Sequence, residues 1–236
     1  MKFCCGCWLE GGKAFGDILS DLREFVRDHR VLTVHFRNVS SPLPCFTETL
    51  CEEALSIGGK TLLDLCCGTG CIGVSLAKLG GFEVTFADIS PDCLALAREN
   101  AALNGLSDRV EFLCADVFAL LPELEAKGQK FDLVILDPPA FTKSRASVKK
   151  AVTGYREINL RAMKLIRDGG FLATCSCSHF VDYALFTQTI GQAARNVHKR
   201  LRQVEYRTQA PDHPILWDAE DSYYLKFYIF QVCDEK

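Results

Sequence analysis

Three aspartates stand at intervals that could build a nucleoside site. Asp64 heads the run Asp64-Leu65-Cys66-Cys67-Gly68-Thr69-Gly70, which closes an apolar stretch and opens a helix-like one. Small residues there let the backbone approach a ligand closely, and the start of the helix offers free N–H groups. Asp88 follows Gly68 by twenty positions, at the end of the next apolar run. A carboxylate so placed can accept both hydroxyls of a ribose. Asp116 closes a third run and could reach the edge of an adenine. Cys66, Gly68, Gly70, Ile89 and Val117 complete the expected cofactor contacts around these acids. The turn lacks a full G-x-G-x-x-G, which speaks against a nicotinamide dinucleotide. The plainer alternative is that the three acids only cap strand-to-helix turns.

A second group could do covalent chemistry. Asp137-Pro138-Pro139-Ala140-Phe141 ends a fourth apolar run, and its two prolines stiffen the loop and remove two N–H donors. The fifth run, Phe171-Leu172-Ala173-Thr174-Cys175-Ser176-Cys177-Ser178, brings two thiols toward the same crevice. A thiolate can add to an electron-poor ring carbon and so make the neighbouring carbon nucleophilic, provided something lowers the thiol pKa or takes its proton. Period-two geometry puts Cys175 and Cys177 on one strand face, so spacing does not choose between them. Either could equally be a packed thiol.

The elements that must position these groups alternate. Buried strands are expected near 61–66, 83–88, 110–114, 132–137 and 171–176, with helices near 71–79, 91–103, 117–127, 148–167 and 180–196. Ser90, Pro91 and Gly105 mark the ends of the second of these helices. Two further strands, near 201–208 and 223–232, follow without a comparable helix between them. The pattern predicts an α/β, doubly wound sheet with right-handed crossovers. Before it, residues 13–30 read as an amphipathic helix and residues 31–58 as mixed. We therefore divide the chain into a short helical or irregular extension over 1–59 and a catalytic domain over 60–236.

Composition narrows the classes. A chain of 236 residues with 48% hydrophobic and 24% charged residues suits one soluble globular domain plus a modest extension. No apolar run approaches a membrane span and no leader stands out, so a cytoplasmic protein is expected. The thirteen cysteines are an odd number in a long chain, which reads as free thiols in a reducing cell. The cluster Cys4, Cys5 and Cys7 lacks a matching second pair for zinc, and no metal is expected. Net charge is −3, yet Lys143 to Arg167 holds eight basic residues and one acid, Glu157. That stretch, and a second with Arg195, Lys199, Arg200 and Arg202, is either a solvated helix face or a phosphate-contacting patch.

From about residue 60 to 233 the chain resembles the bacterial 23S rRNA cytosine-C5 methyltransferases of the large ribosomal subunit. The matching segments are Asp137-Pro138-Pro139-x-Phe141, Gly154-Tyr155-Arg156-Glu157-Ile158-Asn159 and Ser176-Cys177-Ser178. Gln209-Ala210-Pro211-Asp212-His213-Pro214 and Tyr224-Leu225-Lys226 follow in the same order. The resemblance implies a seven-stranded, Rossmann-like methyltransferase sheet with an antiparallel last strand. It implies S-adenosyl-L-methionine as cofactor, with Asp64 at its amino-acid end, and RNA, ribosomal by the family's habit, as partner. It favours Cys177 over Cys175 as the nucleophile that adds to C6 of a cytosine, with Asp137 holding the base through N3 or the exocyclic amine. Pro138, Pro139, Phe141, Lys143 and Tyr155 are then the expected substrate contacts, although Tyr155 also suits packing beneath the loop. Family members usually carry an RNA-binding PUA domain and a small β-rich domain first, and residues 1–59 are too short for both. An aromatic usually replaces Gly68, and the family's T-G-x-F-L-D-Q-R segment is not recognisable. Methylation of guanine N7 or an amino nitrogen, or a non-catalytic cofactor- or RNA-binding role, are the alternatives.

Overall fold

Apolar runs bounded by turn residues become strands and the amphipathic stretches between them become helices, in strict alternation. The computed structural model describes residues 59–209, 214–219 and 222–235. The expected helix at 13–30 and the Cys4–Cys7 cluster lie outside the described residues. In chain order come β1 (Thr61–Leu65), α1 (Cys71–Gly80), β2 (Glu83–Asp88), α2 (Pro91–Leu103), β3 (Val110–Cys114), α3 (Val117–Ala126) and β4 (Phe131–Leu136). A 3₁₀ turn (Arg145–Ser147), α4 (Val148–Leu165), β5 (Ile166–Ser176), α5 (Tyr183–Asn196), β6 (Lys199–Arg207) and β7 (Lys226–Asp234) complete the order.

The strands form one seven-stranded sheet in the order β3-β2-β1-β4-β5-β7-β6. The first five are parallel, and β7 runs antiparallel to both β5 and β6. This is the doubly wound methyltransferase sheet with its reversed last strand. Alternation along each strand divides the core in two. Leu63, Leu65, Val134, Leu136 and Leu172 face α3, α4 and α5. Leu62, Leu133, Ile135, Ala173 and Cys175 face α1 and α2. Ser90 caps α2, its hydroxyl accepting from the Cys93 N–H at 3.3 Å, with Pro91 in the first turn.

Several boundaries differ from expectation, among them that α5 starts at Tyr183 rather than 180 and that β6 spans Lys199–Arg207 rather than 201–208. α4 stops at Leu165 rather than 167, and β5 begins at once. Phe131 pairs with Ile166 but Leu133 pairs with Phe171, so residues 167–170 bulge out opposite Asp132 alone. Gly169, at φ +81°, supplies the left-handed residue that this bulge needs. The last strand starts at Lys226 rather than 223, because residues 223–225 precede its pairing with Ser176. Among the described residues, no helix is long and apolar enough to cross a membrane.

At the amino edge of the sheet Asp132 ties three segments together. It accepts from the Lys60 and Thr61 N–H groups at 2.8 and 2.9 Å, and from Arg167 at 2.6 Å. Burial alone would raise this carboxyl, but the N–H donors, Arg167 and the Thr61 hydroxyl hold it down at about 2. Its stabilising contribution is therefore complete above the ordinary carboxylate range and is lost as pH falls toward about 2. Asp132→Ala is expected to cost about 1–3 kcal/mol at pH 7. In melts of both proteins the difference should shrink steadily between about pH 4 and pH 2.

Candidate active site

The turn after β1 is built by backbone conformation. Cys66 and Gly68 sit at φ 59° and 56°, and Gly70 at φ 76°, where an added Cβ would stand 2.9 Å from that of Ala97. Only glycine meets both demands at position 70. The Gly70 N–H donates to the Cys67 carbonyl at 2.9 Å, and α1 begins from the Gly70 carbonyl. The buried Asn100 amide donates to the Thr69 carbonyl at 2.9 Å and braces the turn from α2. Nothing in the sequence marked Asn100, since a polar residue on an amphipathic helix reads as solvated.

The three aspartates stand where the spacing put them, at the carboxyl ends of β1, β2 and β3, but their surroundings differ. Asp64 is buried; one carboxylate oxygen accepts from the Gly73 N–H at 3.1 Å, and the other is buried without a partner among the described residues. Asp88 accepts the Gly68 N–H at 3.0 Å on one oxygen and the Ser90 N–H at 2.8 Å on the other. Asp116 caps α3, accepting from the Phe118 N–H at 2.8 Å. Capping therefore describes Asp116 and part of what Asp88 does, but leaves an oxygen of Asp64 unexplained. Beside Asp88, Ile89 is 49% exposed, an apolar side chain available at the rim, and Val117 is half-buried next to Asp116.

Burial, then the charges of Asp137 and Asp88, push the Asp64 carboxyl up to about 8. Burial, then the charges of Asp64 and Asp88, also push the Cys67 thiol well up, so it stays protonated. A buried carboxyl raised by neighbouring carboxylates marks a place where positive charge is accommodated.

The second half of the site follows from strand register. Leu136 pairs with Thr174, so the next positions, Asp137 and Cys175, are neighbours at the mouth of the sheet. The Cys175 thiol donates to the Asp137 carboxylate at 2.9 Å, and Cys175 is only 2% exposed. Cys177, two residues on, is half-buried with its sulfur 3.9 Å from the Pro138 carbonyl. Both sulfurs thus lie on one face, as period two requires. They differ in access.

The serines flanking Cys177 are turned inward. Ser176 and Ser178 have no exposed surface; the Ser178 hydroxyl lies 2.9 Å from the Tyr155 hydroxyl, and its N–H donates to the Ser176 hydroxyl at 3.3 Å. Lys226, 1% exposed, donates to the Ser178 and Tyr224 carbonyls at 2.8 and 2.7 Å. The sequence hint was a lysine inside the apolar run Leu225-Lys226-Phe227. Together these bonds fix the backbone on both sides of the sulfur.

Two of the expected substrate contacts, Tyr155 and Pro138, are buried. Tyr155 has no exposed surface; its ring stacks on Phe141 at 4.5 Å and meets Phe186 edge-on at 5.4 Å. Burial holds its hydroxyl well above the ordinary tyrosine range. It supports the loop from behind and does not line it. Pro138 is also buried and shapes the loop through its carbonyl, while Pro139 and Phe141 are half-buried and Lys143 is exposed.

The basic stretch divides. Arg161, Lys164 and Arg167 form ion pairs with Glu125, Glu157 and Asp132, away from the crevice. Lys143, Arg145, Lys149 and Lys150 are exposed around the end of the Pro138-Pro139 loop. In the second stretch, Lys199 and Arg200 meet Asp234 and Glu235. Among the described residues no group of three potential ligands could hold a metal.

Residues 57–227 match the model of a family described as a methyltransferase domain. The ribosomal RNA large subunit methyltransferase I of Aeromonas hydrophila is 41% identical over 169 residues, which are 71% of this chain and 43% of the relative. The protein of the same name from Shewanella denitrificans is 38% identical over 177 residues, 75% of this chain and 45% of the relative. The chain thus spans less than half the length of these relatives. Among solved structures, NSun6 from Pyrococcus horikoshii with SFG superposes with a TM-score of 0.62 at 16% identity, over 81% of this chain and 52% of that one. That likeness is one of fold.

The raised Asp64 carboxyl sets a pH dependence. Its folded value of about 8 lies above the ordinary 3.8, so the folded state binds the extra proton between them and loses stability as pH rises through that window. Asp64→Asn, which keeps the Gly73 hydrogen bond and carries no charge, is expected to melt above the parent protein at pH 8. The two should converge toward pH 4, as thermal melts across that range would show.

Proposed function

The chain belongs to the methyltransferase-domain family, and we propose that it is an S-adenosylmethionine-dependent enzyme that methylates C5 of a cytosine in large-subunit ribosomal RNA. The observation that carries the reading is the half-buried Cys177 sulfur at the mouth of the crevice, beside a carboxylate already held by a second thiol.

The residues present fit the cofactor. The unpartnered oxygen of Asp64, in a nest of mutually repelling carboxylates, suits the ammonium of the amino-acid end. Each oxygen of Asp88 accepts one N–H and keeps a lone pair for a ribose hydroxyl. Cys66, Gly68 and Gly70 shape the turn against it, and Ile89, Asp116 and Val117 border the adenine. When bound, S-adenosylmethionine supplies an electrophilic methyl group on a sulfonium centre.

The protein's own residues make the other half of the reaction feasible. C5 of cytosine is a weak nucleophile. Cys177 gives up its proton to a base and its sulfur adds to C6, which moves the ring electrons onto C5. Asp137 holds the base through N3 or the exocyclic amine, with its own orientation set by the Cys175 thiol. Once C5 carries the methyl group, a base removes the C5 proton, the C5–C6 double bond reforms and the sulfur leaves as thiolate. Ser176, Ser178 and Lys226 keep the sulfur from swinging away during these steps.

Incubation with S-adenosylmethionine and undermodified large-subunit rRNA, followed by mass spectrometric mapping, is expected to place one methyl group on a cytosine ring carbon. Cys177→Ala should lose methyl transfer while retaining cofactor affinity, and Cys175→Ala should be milder. Wild-type turnover in Cys177→Ala would remove the covalent route. Asp88→Ala should weaken S-adenosylmethionine binding by about 1.5–3 kcal/mol in titration calorimetry, through lost charge-assisted hydrogen bonds.

A further inference from the structure

An open cavity of about 600 Å³ lies between the Arg145–Ser147 turn, the segment after β5 and the start of β7. It falls within the roughly 300–1,000 Å³ typical of small-ligand sites. No step of the transfer chemistry uses it. Yet it lies at the same carboxyl edge of the sheet as the reactive sulfur. His179, on its wall, is two residues beyond Cys177, which at about 3.8 Å between successive Cα atoms keeps the two within about 8 Å along the chain. Lys226, also on the wall, pairs with Ser176.

We infer that this cavity receives the nucleotide next to the target base, its ring stacked against Tyr183 or Tyr223 and its phosphate met by Arg145. The inference rests on the RNA-methylating reading above and deepens it.

The wall chemistry suits a nucleotide more than any purely acidic ligand. Tyr183 and Tyr223 are 45% and 36% exposed, which leaves ring surface open to a ligand in the cavity. Both are fixed from behind by Tyr206, whose hydroxyl lies 2.7 Å from that of Tyr223 and whose ring meets Tyr183 edge-on at 5.2 Å. Rings held in advance lose little freedom when a base stacks on them. His179, in edge contact with Phe180, has a buried Nδ1 without a partner among the described residues, a polar atom that a ligand in the cavity would satisfy.

The charge agrees. Arg145 lines the cavity, Lys149 and Lys150 follow it on α4, and among the described residues no carboxylate forms an ion pair with any of the three. The acid on the wall, Asp182, is occupied as the cap of α5, accepting from the Leu185 N–H at 2.8 Å. An acidic peptide would engage the cations and leave the exposed rings idle, whereas a single-stranded nucleotide uses both.

The test is fluorescence anisotropy of the full chain with a short fluorescein-labelled oligocytidylate. Alanine at the tyrosine that carries the stack, Tyr183→Ala or Tyr223→Ala, is expected to weaken binding by roughly 5- to 150-fold, the equivalent of ~1–3 kcal/mol per stacked base. Tyr183→Phe and Tyr223→Phe, which keep the ring, should bind nearly as the parent does and serve as the folding control. Arg145→Ala should lower the slope of log affinity against log salt by about 0.7. The assignment fails if the parent protein does not bind the probe, if both alanine variants bind like the parent, or if polyglutamate displaces the probe as well as unlabelled oligocytidylate does. Ring-dependent binding together with full methyl transfer by Cys177→Ala would sink the thiol adduct and leave the cavity assignment standing. Ring-independent binding with an inactive Cys177→Ala would do the reverse.

Discussion

The pairing of β4 with β5 is the constraint on which the site depends. One register, Leu136 against Thr174, brings Asp137 beside Cys175 and leaves Cys177 projecting one pleat farther out. A slip by one residue would turn both thiols to the opposite face of the sheet, among the α4 and α5 side chains. The register is guarded from both ends. Below, Asp132 and the four-residue bulge at 167–170 fix where β5 resumes its pairing with β4, at Phe171. Above, Tyr155, Ser178 and Lys226 fix where it stops.

Carboxylate crowding is the second theme. Asp64, Asp88 and Asp137 come from three strands and converge because parallel strands all end at one edge. Their mutual repulsion is a cost in the folded chain by itself, and it becomes an asset when a cation arrives. Asp64 and Asp88, together with burial, keep Cys67 protonated, while Cys175 is buried and Cys177 half-buried at the crevice.

Much of this was legible from residues alone. Asp64, Asp88 and Asp116 follow apolar runs short enough to be strands, so their place at the carboxyl edge follows from topology. The seven strands and five of the helices were readable for the same reason: apolar spacing survives any detail of packing. Cys175 against Cys177 was not, because both share a face and only solvent access separates them. Tyr155 stayed open between contact and packing because a tyrosine near a catalytic loop looks the same whether its ring lies above or beneath that loop. Lys226 and Asn100 escaped notice as site residues because their partners are backbone carbonyls, which carry no sequence signature. Arg145, His179, Tyr183 and Tyr223 come from three separated segments, and only folding shows that they share a cavity.

The order of the last two strands bears on how the molecule assembles. β7 is made after β6 yet lies inside it, between β6 and the strand that carries the thiols. Until β7 docks, β5 is an edge with open hydrogen-bonding groups, and β6 has nothing to pair with. The crevice is thus completed late, when Lys226 arrives to clasp the turn around the sulfur. A nascent chain would expose its reactive strand for the whole time needed to synthesise α5, β6 and the connection beyond. That interval is when protection from misassembly matters most.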